Sequence, residues 1–178
     1  EGYAASSGAL VHRVDLSTEA IRLTRKTHGL LPHHGEVAGL LALMLLTDAR
    51  RSARAGTSGE LIPLDEQDRS LWNQDLIREG KALVESSLQQ GTVGEYSLQA
   101  AIAALHDEAP STAQTDWRQI HALYQVLYRV SPSPMVALNR AIALAMADTP
   151  QAGLEELEAL AAEAEARGGA RIDQRVRR

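Results

Sequence analysis

Apolar residues recur at spacings of three and four along most of this chain, and no segment alternates apolar with polar as a half-buried strand would. The pattern predicts an all-α fold of about seven helices. The first runs from about Leu16 to Leu30; Ser17 or Thr18 can accept its free N–H groups, and Pro32 ends it. The second runs from about Gly35 to Arg54. Its Leu40, Leu41, Leu43, Met44, Leu45 and Leu46 cover nearly every side, which predicts a central helix with neighbours on several faces. Ala53–Leu64 reads as the longest irregular stretch. A third helix, about Glu66–Gln90, puts Trp72, Leu76, Gly80 and Leu83 on one face, and Gly91 and Gly94 bracket a tight link to a fourth, about Tyr96–Glu108. The fifth follows STAQTD and runs to about Val130, with Trp117, Ile120, His121, Tyr124, Leu127 and Tyr128 in helical rhythm. Pro134 suits the first turn of the sixth, and the seventh starts near Pro150 and ends before Gly168.

Short links join antiparallel neighbours, so the chain reads as a string of helical hairpins. Two stretches, EAIRLTRKTHGLLPHHGEVAGLLALMLL and HALYQVLYRVSPSPMVALNRAIALAM, share one plan of helix, proline, short gap and small-residue-rich helix. Pro32 and Pro132 lie 100 residues apart, about three units of a 33–34-residue repeat. The segment Tyr124–Leu160 resembles the tetratricopeptide (TPR) pattern, with Ala137, Ala141, Ala145 and Leu154 near its small and large positions. The expected architecture is a set of antiparallel hairpins stacked as a TPR-like right-handed superhelical array. Residues 1–167 would form one domain and 168–178 a basic tail. Such stacks expose a concave groove that binds segments of other proteins.

Composition narrows the chemistry. The chain has no cysteine, which removes disulfide scaffolds, thiolate zinc sites and cysteine nucleophiles together. Net charge is −5, unlike the basic surface of a free-standing DNA-binding domain. Basic residues gather only in RGGARIDQRVRR, Arg167–Arg178, which reads as a solvated terminus rather than a nucleic-acid arm. No signal peptide is visible, and GLLALMLL, Gly39–Leu46, is far short of the roughly 20 residues of a membrane span. The chain opens with EGY rather than Met, as a fragment would. A soluble, cytoplasmic protein is expected, with no membrane association.

Chemistry-bearing residues concentrate in GEYSLQAAIAALHDEAPSTAQTDW, Gly94–Trp117. Tyr96, Gln99, Ala103 and His106 form a polar line beside an apolar stripe, suited either to a groove or to fastening one hairpin to the next. His106 reads as a hydrogen-bonded structural histidine, since nothing nearby completes a nucleophile–base–orienter set. Asp116 suits the cap of the fifth helix, and Trp117 a core anchor. Asn139 and Arg140 interrupt the apolar pattern of VALNRAIALA as an inter-hairpin clamp or as groove-facing residues. His33-His34-Gly35-Glu36 lacks the i, i+4 spacing of helical zinc sites and reads as a solvated turn. No glycine-rich phosphate loop is present. Neither a catalytic residue nor a cofactor or metal is expected.

Several blocks together resemble a known family. EGYAASSG, EAIRLTR, EVAGLLALMLLTDARR, LDEQDRSLWNQDLIREG, YSLQAAIAALH, TDWRQIHALY and PSPMVALNRAIALA are similar, in this order, to the TPR-like C-terminal extension of bacterial extracytoplasmic-function (ECF) RNA polymerase sigma factors. The resemblance covers about Glu1–Leu160 and implies a role in transcription initiation. The partners it implies are the sigma modules of the same protein or core RNA polymerase, with DNA reached only through those modules. They are absent from this sequence, so the chain alone should not start transcription. The family's extension continues through further helices where this chain becomes RGGARIDQRVRR. The expected function is a regulatory protein-binding module. A free-standing TPR-like adaptor is the alternative, and a small-molecule sensor or enzyme using His106 and Asp116 is a third class.

Overall fold

A computed structural model describes residues 14–56, 60–91 and 93–162. The basic tail, the block EGYAASSG and the expected end of the seventh helix lie outside the described residues. Seven α-helices account for most of the rest, and the elements below are numbered in chain order. The chain divides into two compact units, Glu1–Asp116 and Trp117–Arg178, where the sequence pattern led us to expect one domain over 1–167.

The first unit holds α1 (Val14–Leu30), α2 (Gly35–Ala49), α3 (Gln74–Gln89) and α4 (Glu95–Glu108). The apolar run of α2 makes it the centre, packed by α1, α3 and α4. Leu41 and Leu45 join Ile21 of α1 in a buried cluster that Met44, Leu76 and Leu83 cover. Close approach depends on small residues. A Cβ at Gly35 would lie 2.9 Å from the Ser87 carbonyl oxygen, and one at Gly39 would lie 2.6 Å from the Ser97 nitrogen. Across the α2–α3 contact, Gly80 leaves space that the Leu46 side chain fills.

Three boundaries differ from the sequence expectation: α1 is already helical at Val14, so Ser17 and Thr18 lie within it rather than at its cap. The second helix ends at Ala49 rather than Arg54, followed by a single 3-10 turn at Arg51–Ala53. The Ala49 carbonyl accepts a hydrogen bond of 2.9 Å from the Asn73 N–H, a partner far along the chain. The third helix starts at Gln74 rather than Glu66, because the Asn73 side chain accepts from the Asp75 and Leu76 N–H groups. Trp72 therefore sits ahead of the helix face on which it was expected, and it is buried. In the irregular stretch one antiparallel bridge pairs Ala55 with Leu61.

The N-terminus of α4 is capped from a distance. Its own N-cap, Gly94, makes no side-chain bond. Instead Glu36 of α2 accepts from the Tyr96 N–H at 2.9 Å, and from the Ser97 N–H at 3.0 Å and hydroxyl at 2.6 Å. Burial pulls the Glu36 carboxyl up, but these hydrogen bonds outweigh it and hold the group below the ordinary glutamate range. Glu36→Gln is expected to cost about 1–2 kcal/mol, discounted for partial solvent screening. Faster hydrogen exchange at the Tyr96 and Ser97 amides would accompany the loss. The wild-type stabilisation should fade as pH falls below about 4.5, since the group's folded pKa lies below its unfolded one.

The second unit holds α5 (Trp117–Val130), α6 (Pro134–Ala147) and α7, which starts at 150 and is described to 162. Ser133 caps α6 by accepting from the Val136 N–H, with Pro134 in the first turn as expected. Thr149 accepts from the Ala152 N–H at the start of α7. Gly153 lets α7 meet α6, since a Cβ there would lie 2.6 Å from the Ala145 Cβ. On α5 only Ile120 and Leu127 of the expected stripe are buried; Trp117, His121, Tyr124 and Tyr128 are half-buried.

Candidate functional site

In the first unit the polar line on α4 does not make one surface. Tyr96 is exposed at the helix start, Gln99 donates to Glu95 on its own helix, and His106 is half-buried in the last turn. Asp116 is exposed directly ahead of α5. Glu36 of the HHGE stretch is committed to α4, while His33 and His34 are exposed. Among the described residues no group of three or more His, Asp or Glu side chains could hold a metal ion.

What surrounds His106 is a buried cluster of charge. Arg50 follows α2, Arg69 lies in a 3-10 turn at Arg69–Leu71, and Asp107 closes α4. Arg50 Nε lies 3.5 Å from Asp107 Oδ1, whose side chain is fully buried. Arg69 donates to the His106 and Ala109 carbonyls at 2.8 and 2.9 Å, which closes the C-terminus of α4 with a positive charge. Its guanidinium also lies 4.4 Å from the centre of the Trp72 ring. Burial pushes the Asp107 carboxyl up to about 7, against the pull of Arg50 and Arg69. Burial, with the same two cations, holds the His106 imidazole down at about 4. The cluster ties three chain segments together.

In the second unit, α5, α6 and α7 line a cleft of about 440 Å³ with His121, Gln125, Arg129, Arg140, Leu144 and Glu156. Glu156 of α7 is shared: Arg140 of α6 pairs with it, and His121 Nε2 of α5 lies 3.5 Å away. The Arg140 guanidinium sits 4.7 Å from the centre of the Tyr128 ring. Asn139, its neighbour on α6, bonds to the Tyr124 hydroxyl, whose pKa burial raises and this bond lowers. Asn139 and Arg140 thus both reach other helices of their unit. Around Tyr128 lies an apolar groove of about 520 Å³, lined among others by Pro132, Pro134, Leu138, Leu157 and Leu160. The cleft lining holds no hydroxyl, thiol or amine for a histidine–carboxylate pair to activate. Its excess of cationic donors suits the holding of an anionic group.

The sequence pattern singled out Arg140 of this cleft but not His121, Gln125, Arg129 or Glu156 as site residues. One signal was available. His121, Gln125 and Arg129 recur every four residues and so share one helix face. Asp107, Arg50 and Arg69 had no comparable signal, since they come from three separate segments.

A family of unknown function (DUF6596) matches residues 1–88. An uncharacterized protein, R00370 of Rhizobium meliloti (strain 1021), is 44% identical over 160 residues, which span 90% of this chain and 38% of that relative. No solved structure matches. Along nearly all of its length, the chain is therefore similar to one part of a considerably longer bacterial protein.

Proposed function

We propose that the chain is a regulatory protein-binding module of an ECF-type RNA polymerase sigma factor, controlling the sigma modules in transcription initiation. The observation that carries the protein-binding part is the uncovered face of α6. Met135, Leu138, Ile142 and Met146 follow one helical stripe and are 64%, 40%, 47% and 48% exposed. A helix that is apolar all round needs neighbours on all sides. The central α2 has them on three, whereas α6 keeps this stripe open, the mark of a surface that a partner covers. The ordered blocks of similarity to the sigma-factor extension support the sigma modules as that partner. On this reading the hairpins belong to a TPR-like right-handed array acting in the cytoplasm beside core polymerase. The module is not an enzyme.

Titration calorimetry of the chain against its sigma modules, supplied as a separate folded fragment, tests the proposal. Micromolar binding is expected, weakened about tenfold by Leu138→Glu, which places a charge on the stripe. No heat at high concentration would overturn it. Binding to an unrelated helical peptide but not to sigma modules would replace it with the free-standing adaptor. Regulation additionally requires that the clamped and free states differ in affinity for a signal.

A further inference from the structure

We propose that the cleft of α5, α6 and α7 reads an acidic segment of the partner protein. In this arrangement a carboxylate seats on Arg129 and Gln125, and a nearby apolar side chain enters the groove around Tyr128. The inference rests on the protein-binding reading above and adds the chemistry of the partner.

The charge balance of the cleft comes first. Its lining offers Arg129 and Arg140 against a single carboxylate, Glu156, which already pairs with Arg140. Arg129 is exposed and has no ion pair among the described residues, and Gln125 beside it is exposed as well. The cleft is thus a local positive site on a chain of net charge −5. An anionic group is drawn here by the unpaired Arg129 guanidinium.

Spacing comes next. His121, Gln125 and Arg129 are four residues apart on α5, a rise of about 6 Å per step. Alternate side chains of an extended peptide are about 6.5–7 Å apart. A strand-like segment with acidic residues at alternate positions therefore keeps pace with the exposed donors Gln125 and Arg129.

The neighbouring groove favours a peptide over a nucleic acid. Tyr128 lines the groove and carries Arg140 on its ring, so this stacked pair is a shared wall between the apolar and cationic compartments. A protein segment with an acidic and an apolar side chain satisfies both compartments. A phosphate backbone would satisfy only one, and it would meet an acidic chain elsewhere.

The test uses the whole chain with two labelled short peptides, one alternating Glu with Leu and the other with every Glu replaced by Gln, followed by fluorescence anisotropy. The Glu peptide is expected to bind about tenfold more tightly, and the advantage should shrink as NaCl rises from about 50 to about 500 mM. Arg129→Glu should abolish the advantage and Arg129→Lys should retain part of it; both changes are at an exposed position, and circular dichroism checks the fold. Equal binding of the two peptides, no binding of either, or tighter binding of a short single-stranded oligonucleotide would overturn the proposal. The sigma modules are titrated in parallel. If they bind wild type and Arg129→Glu alike, the acidic-segment inference fails and the regulatory reading stands. If the Glu peptide binds and the sigma modules do not, the reverse holds.

Discussion

Gly39→Ala is expected to destabilise the first unit by about 2–4 kcal/mol, although alanine is the better helix former. In an open helix position the change would gain about 1 kcal/mol. Here the added Cβ would lie 2.6 Å from the Ser97 nitrogen and 2.8 Å from its Cα. These are backbone atoms, so relief requires α4 to move away from α2. That movement would loosen the three hydrogen bonds from Glu36 and the contacts of the buried Ala100, Ala101, Ala103 and Ala104. Gly29→Ala is the control, since nothing lies within 4 Å of its Cβ position near the end of α1. It should be neutral or stabilising. Urea denaturation followed by Trp72 fluorescence, in a Trp117→Phe background, reports on the first unit. Equal stability of Gly39→Ala and wild type would show that α2 and α4 do not approach so closely.

The second large effect is a pair of opposed pH dependences at the end of α4. Asp107 keeps its proton up to about pH 7 in the folded chain, whereas an unfolded aspartate releases it near 3.8. Between these values the folded state binds more protons, so the Asp107 contribution falls as pH rises. His106 runs the other way. Its folded pKa of about 4 lies below the unfolded 6.5, so its contribution falls as pH drops through that window. Each slope is about 1.4 kcal/mol per pH unit, and over most of the shared range they cancel.

Wild type should therefore show little dependence from these two groups between about pH 4.5 and 6.5. Single variants should expose each one. Relative to wild type, Asp107→Asn should gain stability as pH rises from about 4 to 7 and then level off. His106→Asn should lose the stability that the neutral imidazole supplies at higher pH, so its difference from wild type grows from about pH 4 to 6.5. The same fluorescence titrations in a series of buffers measure both. Parallel curves for all three proteins would show that neither group titrates as its burial requires.

Much of the fold was legible because helices announce themselves locally. The Ser133-Pro134 start of α6 is a short-range signal, and the structure honours it. The all-round apolar run of α2 stated its central position before any neighbour was known, because a helix without a polar face must be covered. Asn139 and Arg140 stood out as polar residues in an apolar helix, and both reach neighbouring helices. The row of His121, Gln125 and Arg129 was visible as spacing, but its meaning was not. His121, half-buried and in helical rhythm with Trp117, Tyr124 and Tyr128, looks like core until the third helix supplies Glu156.

The sequence by itself determined the all-helical class, the order of the helices, most of their ends and the absence of cysteine chemistry. It did so because propensity, capping and periodicity act within a few residues. Tertiary structure decided the rest. It ended α2 at Ala49 by giving that carbonyl to Asn73, and it capped α4 with a glutamate from another helix. It also gathered Arg50, Arg69 and Asp107 from three segments into one buried cluster, and drew a cationic cleft from three helices. Each of these depends on which chain ends and side chains meet in space. Hydrogen bonds and charges act over a few ångströms wherever their partners lie, so their pairing follows packing rather than position along the chain.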